Sequence, residues 1–368
     1  MHDTLFQPLK LGAIEAKNRI LMAPLTRGRS TQPGSIPNEM MATYYRQRAG
    51  AGLIISEATG ISVEGLGWPA APGIWSDEQV EGWKQVTKAV HEEGGLIVLQ
   101  MWHMGRIVHP DFLGGKPPVS ASATTAPGHA HTFEGRKDHQ QARAATKEDI
   151  ARIVEDYRKA AENAKRAGFD GVQLHAANGY LIDQFFWDVM NKRDDKFGGT
   201  SLVDRASFAS DILKEIRKRV SPDFPIILRY SQWKQQQYDA RLATTPEDLE
   251  AFLKVFVDGG VDVLHASQRR YWEPEFPEVD GENGLNGAGW AKKLTGLPTI
   301  TVGSVGLSGD FIKAFQGEGS GTRSLDDLEE RLSRGEFDLV AVGRALLQDP
   351  AWARKVHEGR LDELNDYD

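Results

Sequence analysis

The sequence of 368 residues contains no cysteine. This absence excludes disulfide bonds, a thiolate nucleophile and a zinc site built on cysteine ligands. It also excludes a cysteine-ligated iron–sulfur cluster. Chemistry that depends on sulfur ligands or sulfur nucleophiles is therefore closed to this chain.

Long apolar runs and an excess of basic residues are also missing. No run approaches the roughly 20 apolar residues needed to cross a bilayer, and the start, MHDTLFQPLK, lacks the basic-then-apolar plan of a signal peptide. The formal net charge of −8 disfavours binding to nucleic acid, because phosphate backbones are bound by clustered Lys and Arg. We therefore expect a cytoplasmic protein with a small-molecule substrate and no nucleic-acid or membrane partner.

Short apolar runs do recur, and each is followed by a segment with helix signals. The runs cover 19–24, 52–58, 95–101, 169–175, 225–230, 261–267, 298–304 and 338–344. Such near-continuous runs are typical of parallel strands that are buried on both faces. The predicted helices include 38–48, 77–93, 204–219 and 325–334, one that begins with a capping box at Thr146 to Asp149, and one that begins at Thr245 and Pro246. Eight alternations of strand and helix predict an α/β protein with a (β/α)8 TIM barrel, and a doubly wound sheet is the alternative.

Two long segments interrupt this alternation: 104–145 after the third run and 268–285 after the sixth. Their composition is loop-like, and insertions of this kind in a barrel usually shape the mouth of the active site. No interdomain linker is visible in the sequence. We therefore expect a single domain over 1–368, with both insertions on the active-site side.

Two glycine turns, Gly303-Ser304 and Gly343-Arg344, follow the seventh and eighth predicted strands. Active sites of TIM barrels lie at the carboxyl ends of the strands, and phosphate is often bound by the last two strand–helix loops. Glycine allows a close approach of the backbone, and Arg344 can add a charge-assisted contact. The turns indicate a phosphate site, although glycines at strand ends can also serve only to turn the chain.

Two polar residues lie at the ends of other buried strands. Arg229 needs an anionic partner, because an unpaired buried charge is costly; that partner is either a structural acid such as Glu57 or an anionic cofactor ring. Gln100 offers a donor and an acceptor that suit the edge of a heterocycle, but a bond to the backbone is the simpler interpretation. The local sequence leaves both assignments open.

The stretch HAANGY at 175–180 ends the fourth predicted strand. His175 and Asn178 can donate N–H groups to a carbonyl oxygen that becomes negative in the transition state. Tyr180 can deliver a proton to carbon, and Gly179 allows the tight turn that this arrangement needs. A lone histidine at a strand end is more often structural, so the functional interpretation rests on the three side chains acting together.

A possible metal site consists of His129, His131 and Glu134. These residues lie in a segment rich in Ala, Gly, Thr and Pro, and no further ligand is close in the sequence. We therefore expect no metal there.

Several stretches together resemble the old yellow enzyme family of flavin-dependent ene-reductases. They are LFQPLKLG near the start, KNRILMAPLTR (17–27), APGIWS (71–76), LQMWHMGR (99–106), HAANGYLIDQFF (175–186), NKRDDKFGG (191–199) and VGRALLQDP (342–350), and they occur in the family's order. HxxNGYLxxQF together with NxRxDxxGG is far more specific than a lone glycine motif. The resemblance implies a TIM barrel that binds FMN noncovalently at the carboxyl ends of its strands.

The resemblance also implies a role for each matching residue. The residues expected to hold FMN are Pro24, Leu25, Thr26, Ala58, Gln100 and Arg229, with Gly303, Ser304, Gly343 and Arg344 around its phosphate. The residues expected to contact substrate are Trp102 in the wall of the site, His175 and Asn178 on the carbonyl or nitro oxygen, and Tyr180 as the proton donor. The implied reaction uses NADPH or NADH to reduce the flavin, whose N5 then gives a hydride to the β-carbon of an activated alkene.

The missing cysteines distinguish between branches of this family. One branch carries an iron–sulfur cluster and another has a cysteine where Thr26 stands, so the chain resembles the threonine-bearing branch. The alternatives are an FMN oxidoreductase of another reaction type, such as a nitro-ester or nitro-group reductase or a 2-hydroxy-acid oxidase, and a barrel that binds ligand without catalysis. We expect a monomer or a homodimer.

Overall fold

Eight parallel strands close into a barrel in the computed structural model, which describes residues 2–310, 314 and 317–368. They are β1 (Ile20–Met22), β2 (Leu53–Ile55), β3 (Ile97–Trp102), β4 (Val172–Asn178), β5 (Ile226–Lys234), β6 (Val263–Ala266), β7 (Thr299–Val302) and β8 (Leu339–Val342). Each strand pairs with the next, and β8 pairs with β1, which closes the ring. The predicted TIM barrel is confirmed, and the doubly wound sheet is wrong because an open sheet would leave two unpaired edges.

Two of the strands run beyond their predicted ends. The prediction ended β4 at 175 and β5 at 230, but they continue to Asn178 and Lys234. Asn178 pairs with Lys234 after a register shift that begins at Ala176. Hydrophobic periodicity does not reveal this extension, because the pattern stops where polar residues begin. The extension matters for function because it brings the ends of β4 and β5 side by side.

Helices follow the strands as predicted, with one break. The α-helices of the described residues are Glu39–Arg46, Asp77–Glu92, Lys147–Arg166, Leu181–Phe186, Leu202–Arg205, Ser207–Arg219, Pro246–Asp258, Pro277–Asp280, Gly287–Thr295, Asp326–Ser333, Arg344–Gln348 and Trp352–His357. Thr146 and Asp149 form the capping box, and Thr245 accepts a hydrogen bond from the Asp248 amide. The segment 204–219 is divided at Ala206, which separates Leu202–Arg205 from Ser207–Arg219. None of the helices in the described part of the chain is long and apolar enough to cross a membrane.

The apolar core has two layers. Inward-facing residues of the strands fill the barrel, and Leu11 and Ile14 join them from an antiparallel hairpin, Leu9–Leu11 with Ile14–Ala16. A larger layer between strands and helices contains aromatic residues such as Trp83 and Phe208. Apolar side chains therefore fill the interior of the barrel, and the polar side chains lie above them, at the carboxyl ends of the strands.

Both insertions contact the carboxyl-end face of the barrel. Within 104–145 the chain forms short strands at Val119–Ser120, His129–Thr132, Gly135–Asp138 and Arg143–Ala144. Another short strand, Thr59–Gly60, pairs in parallel with the end of β3. Met104, Ile107 and Val108 pack in one cluster with Trp102 and Tyr180. The other insertion lies against the end of β7, where the Tyr271 amide donates to the Gly303 carbonyl over 3.0 Å.

Candidate active site

Every predicted site residue lies within a barrel strand or shortly after its carboxyl end. Pro24, Leu25 and Thr26 follow β1, Ala58 follows β2, Gln100 and Trp102 lie in β3, His175, Asn178 and Tyr180 lie in or after β4, Arg229 lies in β5, Gly303 and Ser304 follow β7, and Gly343 and Arg344 follow β8. Because the strands are parallel, these ends surround one mouth. Pro24, Leu25 and Thr26 are all partly exposed after β1.

Three rings and an asparagine gather at the end of β4. The Tyr180 ring lies 5.0 Å from the His175 ring and 5.1 Å from the Trp102 ring, edge-on to both. Asn178 and Gly179 both have positive φ angles, of 62° and 87°. Residues other than glycine rarely adopt this backbone conformation. This turn brings Asn178 and Tyr180 to the same end of the strand as His175.

Tyr180 is held as a protonated hydroxyl. Its hydroxyl group donates to the Gln235 side-chain oxygen over 3.2 Å, and the residue is buried. Burial raises the pKa of Tyr180 to about 12, against the lowering effects of the Gln235 hydrogen bond and the Arg229 charge. The hydroxyl therefore keeps its proton near neutral pH and is available as a general acid.

His175 is neutral for a related reason. Burial and, to a smaller extent, the positive charge of Arg229 hold the pKa of His175 well below its usual value. Its Nδ1 atom is buried and has no hydrogen-bond partner among the described residues. Asn178 donates from its side-chain amide to the Ser267 hydroxyl over 3.3 Å. The pair can therefore offer neutral N–H donors to a substrate oxygen, without adding a positive charge to the site.

Arg229 is a half-buried cation at the mouth. One terminal nitrogen donates to the Ser267 hydroxyl over 3.0 Å, but the Nε atom is buried and has no partner in the described chain. Glu57 does not pair with it: the Glu57 carboxylate accepts from the Arg27 amide and the Tyr45 hydroxyl, both at 3.1 Å. Burial lowers the pKa of Arg229 to about 10, so the side chain stays charged near neutral pH. An anionic ligand edge would supply the missing partner.

Gln100 belongs to a chain of buried side chains and does not bond the backbone through its amide nitrogen. That amide donates to the Gln173 oxygen over 2.7 Å, and the Gln173 amide lies 3.0 Å from Nδ1 of His265. The sequence analysis did not assign roles to Gln173, His265 or Ser267. Each of them is a polar residue within or just after an otherwise apolar strand. This pattern could have indicated a buried hydrogen-bond network, because buried polar groups need partners. Gln173 and His265 fix the orientation of Gln100 at the mouth, whereas Ser267 contacts Asn178 and Arg229.

The two glycine turns meet on the other side of the mouth. Gly303 and Ser304 have φ angles of 123° and 52°, and the Ser304 hydroxyl donates to the Gly309 carbonyl over 2.8 Å. Arg344, the first residue of its helix, lies 3.4 Å from the Ser304 hydroxyl and donates to the Asp310 carbonyl over 3.1 Å. A Cβ added at Gly343 would lie 3.8 Å from Leu25, so this turn adjoins the residues after β1. The residues predicted to bind phosphate therefore lie close together, and Arg344 supplies a positive charge among them.

Replacing Gly303 by alanine is expected to damage the phosphate end of the site. The new Cβ would lie 2.8 Å from the backbone of Arg269 and Arg270, at a φ that only glycine adopts easily. Gly296→Ala is the matched control, because Gly296 also has a positive φ but no atom within 4 Å of the new Cβ. We expect both variants to lose about 1–3 kcal/mol of stability and only Gly303→Ala to bind FMN more weakly in a fluorescence titration. Equal FMN affinities would contradict this assignment.

Glu57, directly before Ala58, should make stability depend on pH. Burial raises the pKa of its carboxyl group to about 7, despite hydrogen bonds from the Arg27 amide and Tyr45. Folding favours the protonated carboxyl group, which therefore adds to the free energy of unfolding. This contribution is complete below the ordinary pKa of about 4.5 and is lost as the pH rises through about 7. Glu57→Gln cannot titrate. From about pH 5 to about pH 8, the free energy of unfolding of the wild-type apoprotein should therefore fall by about 2–3 kcal/mol relative to Glu57→Gln. Urea unfolding at each pH measures this difference, and parallel curves would count against it.

The residues considered as a metal site have separate partners. His129 lies 2.7 Å from Asp138, and the Glu134 carboxylate lies 2.6 Å from Lys137. His131 packs against Trp68, with ring centroids 4.6 Å apart. In the described ranges, no group of three or more His, Asp or Glu residues is arranged to hold a metal ion.

Comparisons with known proteins give one consistent result. The sequence model of the NADH:flavin oxidoreductase / NADH oxidase family matches residues 4–363. Flavin oxidoreductase hxnT from Emericella nidulans is 34% identical over 100% of this chain and 93% of its own. 12-oxophytodienoate reductase 2 from Arabidopsis thaliana is 35% identical over 94% of this chain and 86% of its own. The structure of the old yellow enzyme homologue from Zymomonas mobilis matches with a TM-score of 0.82 and 38% identity, covering 97% of this chain and 93% of that one.

Proposed function

This chain belongs to the NADH:flavin oxidoreductase / NADH oxidase family, to which it is similar over the whole barrel, and we propose that it is an FMN-dependent ene-reductase. The proposed reaction uses NADPH or NADH to reduce the activated C=C bond of an α,β-unsaturated carbonyl or nitro compound. One observation carries this proposal: a buried, protonated Tyr180 in ring contact with His175, beside the Asn178 amide. An oxygen-holding pair next to a proton donor is what addition of hydrogen to an activated alkene requires.

The residues at the mouth fit FMN. The unpartnered Nε of Arg229 is a donor and a positive charge, which suits the electron-rich edge of a flavin ring. On the opposite side, Ser304 and Arg344 offer a hydroxyl and a guanidinium at two glycine turns, which suit a phosphate. Gln100 supplies an amide whose orientation is fixed by Gln173. Pro24, Leu25, Thr26, Ala58, Gln100 and Arg229 would therefore hold the ring, and Gly303, Ser304, Gly343 and Arg344 the phosphate.

Bound FMN would supply the redox chemistry, accepting a hydride from the nicotinamide and giving one to the β-carbon of the alkene. His175 and Asn178 would hold the substrate oxygen through their N–H groups and stabilise the negative charge that develops there. Tyr180 would give its hydroxyl proton to the α-carbon. Trp102, in edge contact with Tyr180, would form the wall against which the substrate packs. The name of the Arabidopsis relative, a 12-oxophytodienoate reductase, supports an unsaturated oxo compound as substrate.

A substrate panel tests the proposal against its alternatives. The protein is reconstituted with FMN and reduced anaerobically with NADPH or NADH, then mixed with 2-cyclohexenone, a nitroalkene or a nitrate ester; a separate sample with oxidised FMN receives L-lactate alone. We expect either nicotinamide to reduce the flavin, and the enone and nitroalkene to yield products saturated at C=C. Reduction of the nitrate ester alone would favour a nitro-ester reductase, and flavin reduction by lactate would favour a 2-hydroxy-acid oxidase. A protein that binds no FMN would overturn the proposed function.

A further inference from the structure

A fully buried ion pair lies next to the turn that carries Asn178 and Tyr180. The Lys234 ammonium is 2.7 Å from Oδ1 of Asp183, and both side chains have 0% exposure. Moving two charges out of water is costly, and a buried pair seldom stabilises a fold more than apolar residues of the same volume. A pair in this place is therefore better explained by the arrangement that it specifies than by stability alone.

On one side, the pair is joined to the backbone of the turn. The second oxygen of Asp183 accepts a hydrogen bond from the Gly179 amide over 2.8 Å. That amide lies between Asn178 and Tyr180, where two successive residues have positive φ angles. A turn of this kind is strained for Asn178, and it persists only where its surroundings fix it. Asp183 provides one such restraint.

On the other side, the pair is joined to the end of β5. The Lys234 ammonium donates to the Ser231 carbonyl over 3.3 Å. The Ser231 hydroxyl accepts from the backbone amide of Asn178 over 2.8 Å. The next residue, Gln235, accepts the hydrogen bond of the Tyr180 hydroxyl. Lys234 is thus adjacent to the residue that holds the proposed proton donor, and its backbone pairs in register with Asn178.

Resting on the proposed ene-reductase function, we propose that Lys234 and Asp183 are positioning residues for proton delivery. Their ion pair ties the turn after β4 to the end of β5, so that the Tyr180 hydroxyl and the Asn178 amide face the substrate together. Neither residue touches the reacting atoms. Loss of the pair should therefore affect the step that uses both side chains more than the reduction of the flavin by the nicotinamide.

The test variant removes both charges and keeps the hydrogen bond to the turn. Lys234→Met with Asp183→Asn preserves volume, and the amide oxygen at 183 still accepts from Gly179. The matched control is Lys292→Met with Asp338→Asn. In that pair the ammonium lies 2.9 Å from Oδ1, and the second carboxylate oxygen accepts from the Thr299 amide over 2.9 Å. Thr299 begins β7, so the control lies at the opposite end of the barrel. It also combines an ion pair with a hydrogen bond from a backbone amide to the second carboxylate oxygen.

Three measurements on the FMN-loaded variants separate positioning from stability. In anaerobic stopped flow, the test variant should reoxidise with 2-cyclohexenone about 10- to 100-fold more slowly than wild type, because small misplacement of a catalytic group is costly. Flavin reduction by NADPH should change little. In an absorbance titration with phenol, whose oxygen stands in for the substrate oxygen, the dissociation constant should rise about tenfold or more. The control variant should match wild type in all three measurements.

The outcomes for this proposal and for the proposed function are distinct. Normal phenol affinity and normal reoxidation in a folded, FMN-binding test variant would overturn the positioning role. A wild-type protein that reduces no activated alkene would overturn the proposed function, while the phenol titration would still decide the role of the pair. If this double variant does not fold, Lys234→Gln with Asp183→Asn supplies the comparison, because it also removes both charges and keeps a hydrogen-bonding side chain at each position.

Discussion

Replacing Arg229 by methionine should abolish useful FMN binding and leave the apoprotein at least as stable as wild type. The half-buried guanidinium has a buried Nε without a partner among the described residues and one hydroxyl partner, Ser267, so part of the cost of removing its charge from water is uncompensated without an anion. A methionine fills the space without a charge. We expect a gain of about 1–3 kcal/mol in the free energy of unfolding of the apoprotein. FMN affinity should fall by roughly 100-fold or more, because hydrogen bonds from a charged group contribute about 1.5–3 kcal/mol each.

Arg217 provides the control for this pair of opposite effects. Its guanidinium is fully engaged, with the Gly260 carbonyl at 2.8 Å, the Phe224 carbonyl at 2.6 Å and the Asp262 carboxylate at 2.5 Å. Arg217→Met should therefore destabilise the apoprotein and leave FMN affinity unchanged. Urea unfolding of the apoproteins and fluorescence titration with FMN measure both quantities. Wild-type FMN affinity in Arg229→Met would contradict the proposed site.

Replacing Tyr180 by phenylalanine should slow alkene reduction by about 10²- to 10⁴-fold, the usual effect of losing a general acid. Reduction of the flavin by NADPH should be nearly unchanged, because that step needs no proton from the protein. In wild type the rate of alkene reduction should stay level near neutral pH and fall only as the pH approaches the Tyr180 pKa of about 12. Stopped-flow absorbance of the flavin resolves the two steps.

Tyr230→Phe is the control for the loss of a buried phenol. Its hydroxyl donates to the Gly287 carbonyl over 3.3 Å, and its ring packs in the layer between strands and helices. We expect normal rates in both steps for this variant. An equal loss of both steps in Tyr180→Phe would argue against the proton-donor role.

The barrel could be predicted because its strands leave a simple signal. Each of the eight apolar runs overlaps one strand, since parallel strands covered on both faces have little room for polar residues. The helix starts at Thr146 and Thr245 could be predicted because side-chain caps depend on residues close in sequence. Predictions of this kind require only local information.

The parts that could not be predicted depend on contacts between distant residues. Gln235 and Lys234 lie in a polar stretch, SQWKQQQ, with no periodicity and no motif, yet they meet Tyr180 and Asp183 more than 50 positions away. The partner of Gln100 is another example, because the local sequence favoured the backbone and the structure supplies Gln173. Polar groups inside a barrel acquire partners only when the ring closes. The motif indicates the side chains that we propose for the chemistry, and the fold shows what holds them.

Transfer of hydrogen from the reduced flavin of this protein to an activated alkene can be followed in a single turnover. The FMN-loaded protein is reduced anaerobically with one equivalent of NADPH and mixed with 2-cyclohexenone. We expect the oxidised flavin spectrum to return and one cyclohexanone to be formed per flavin. A flavin that stays reduced, or one that reoxidises without forming cyclohexanone, would contradict the proposed function.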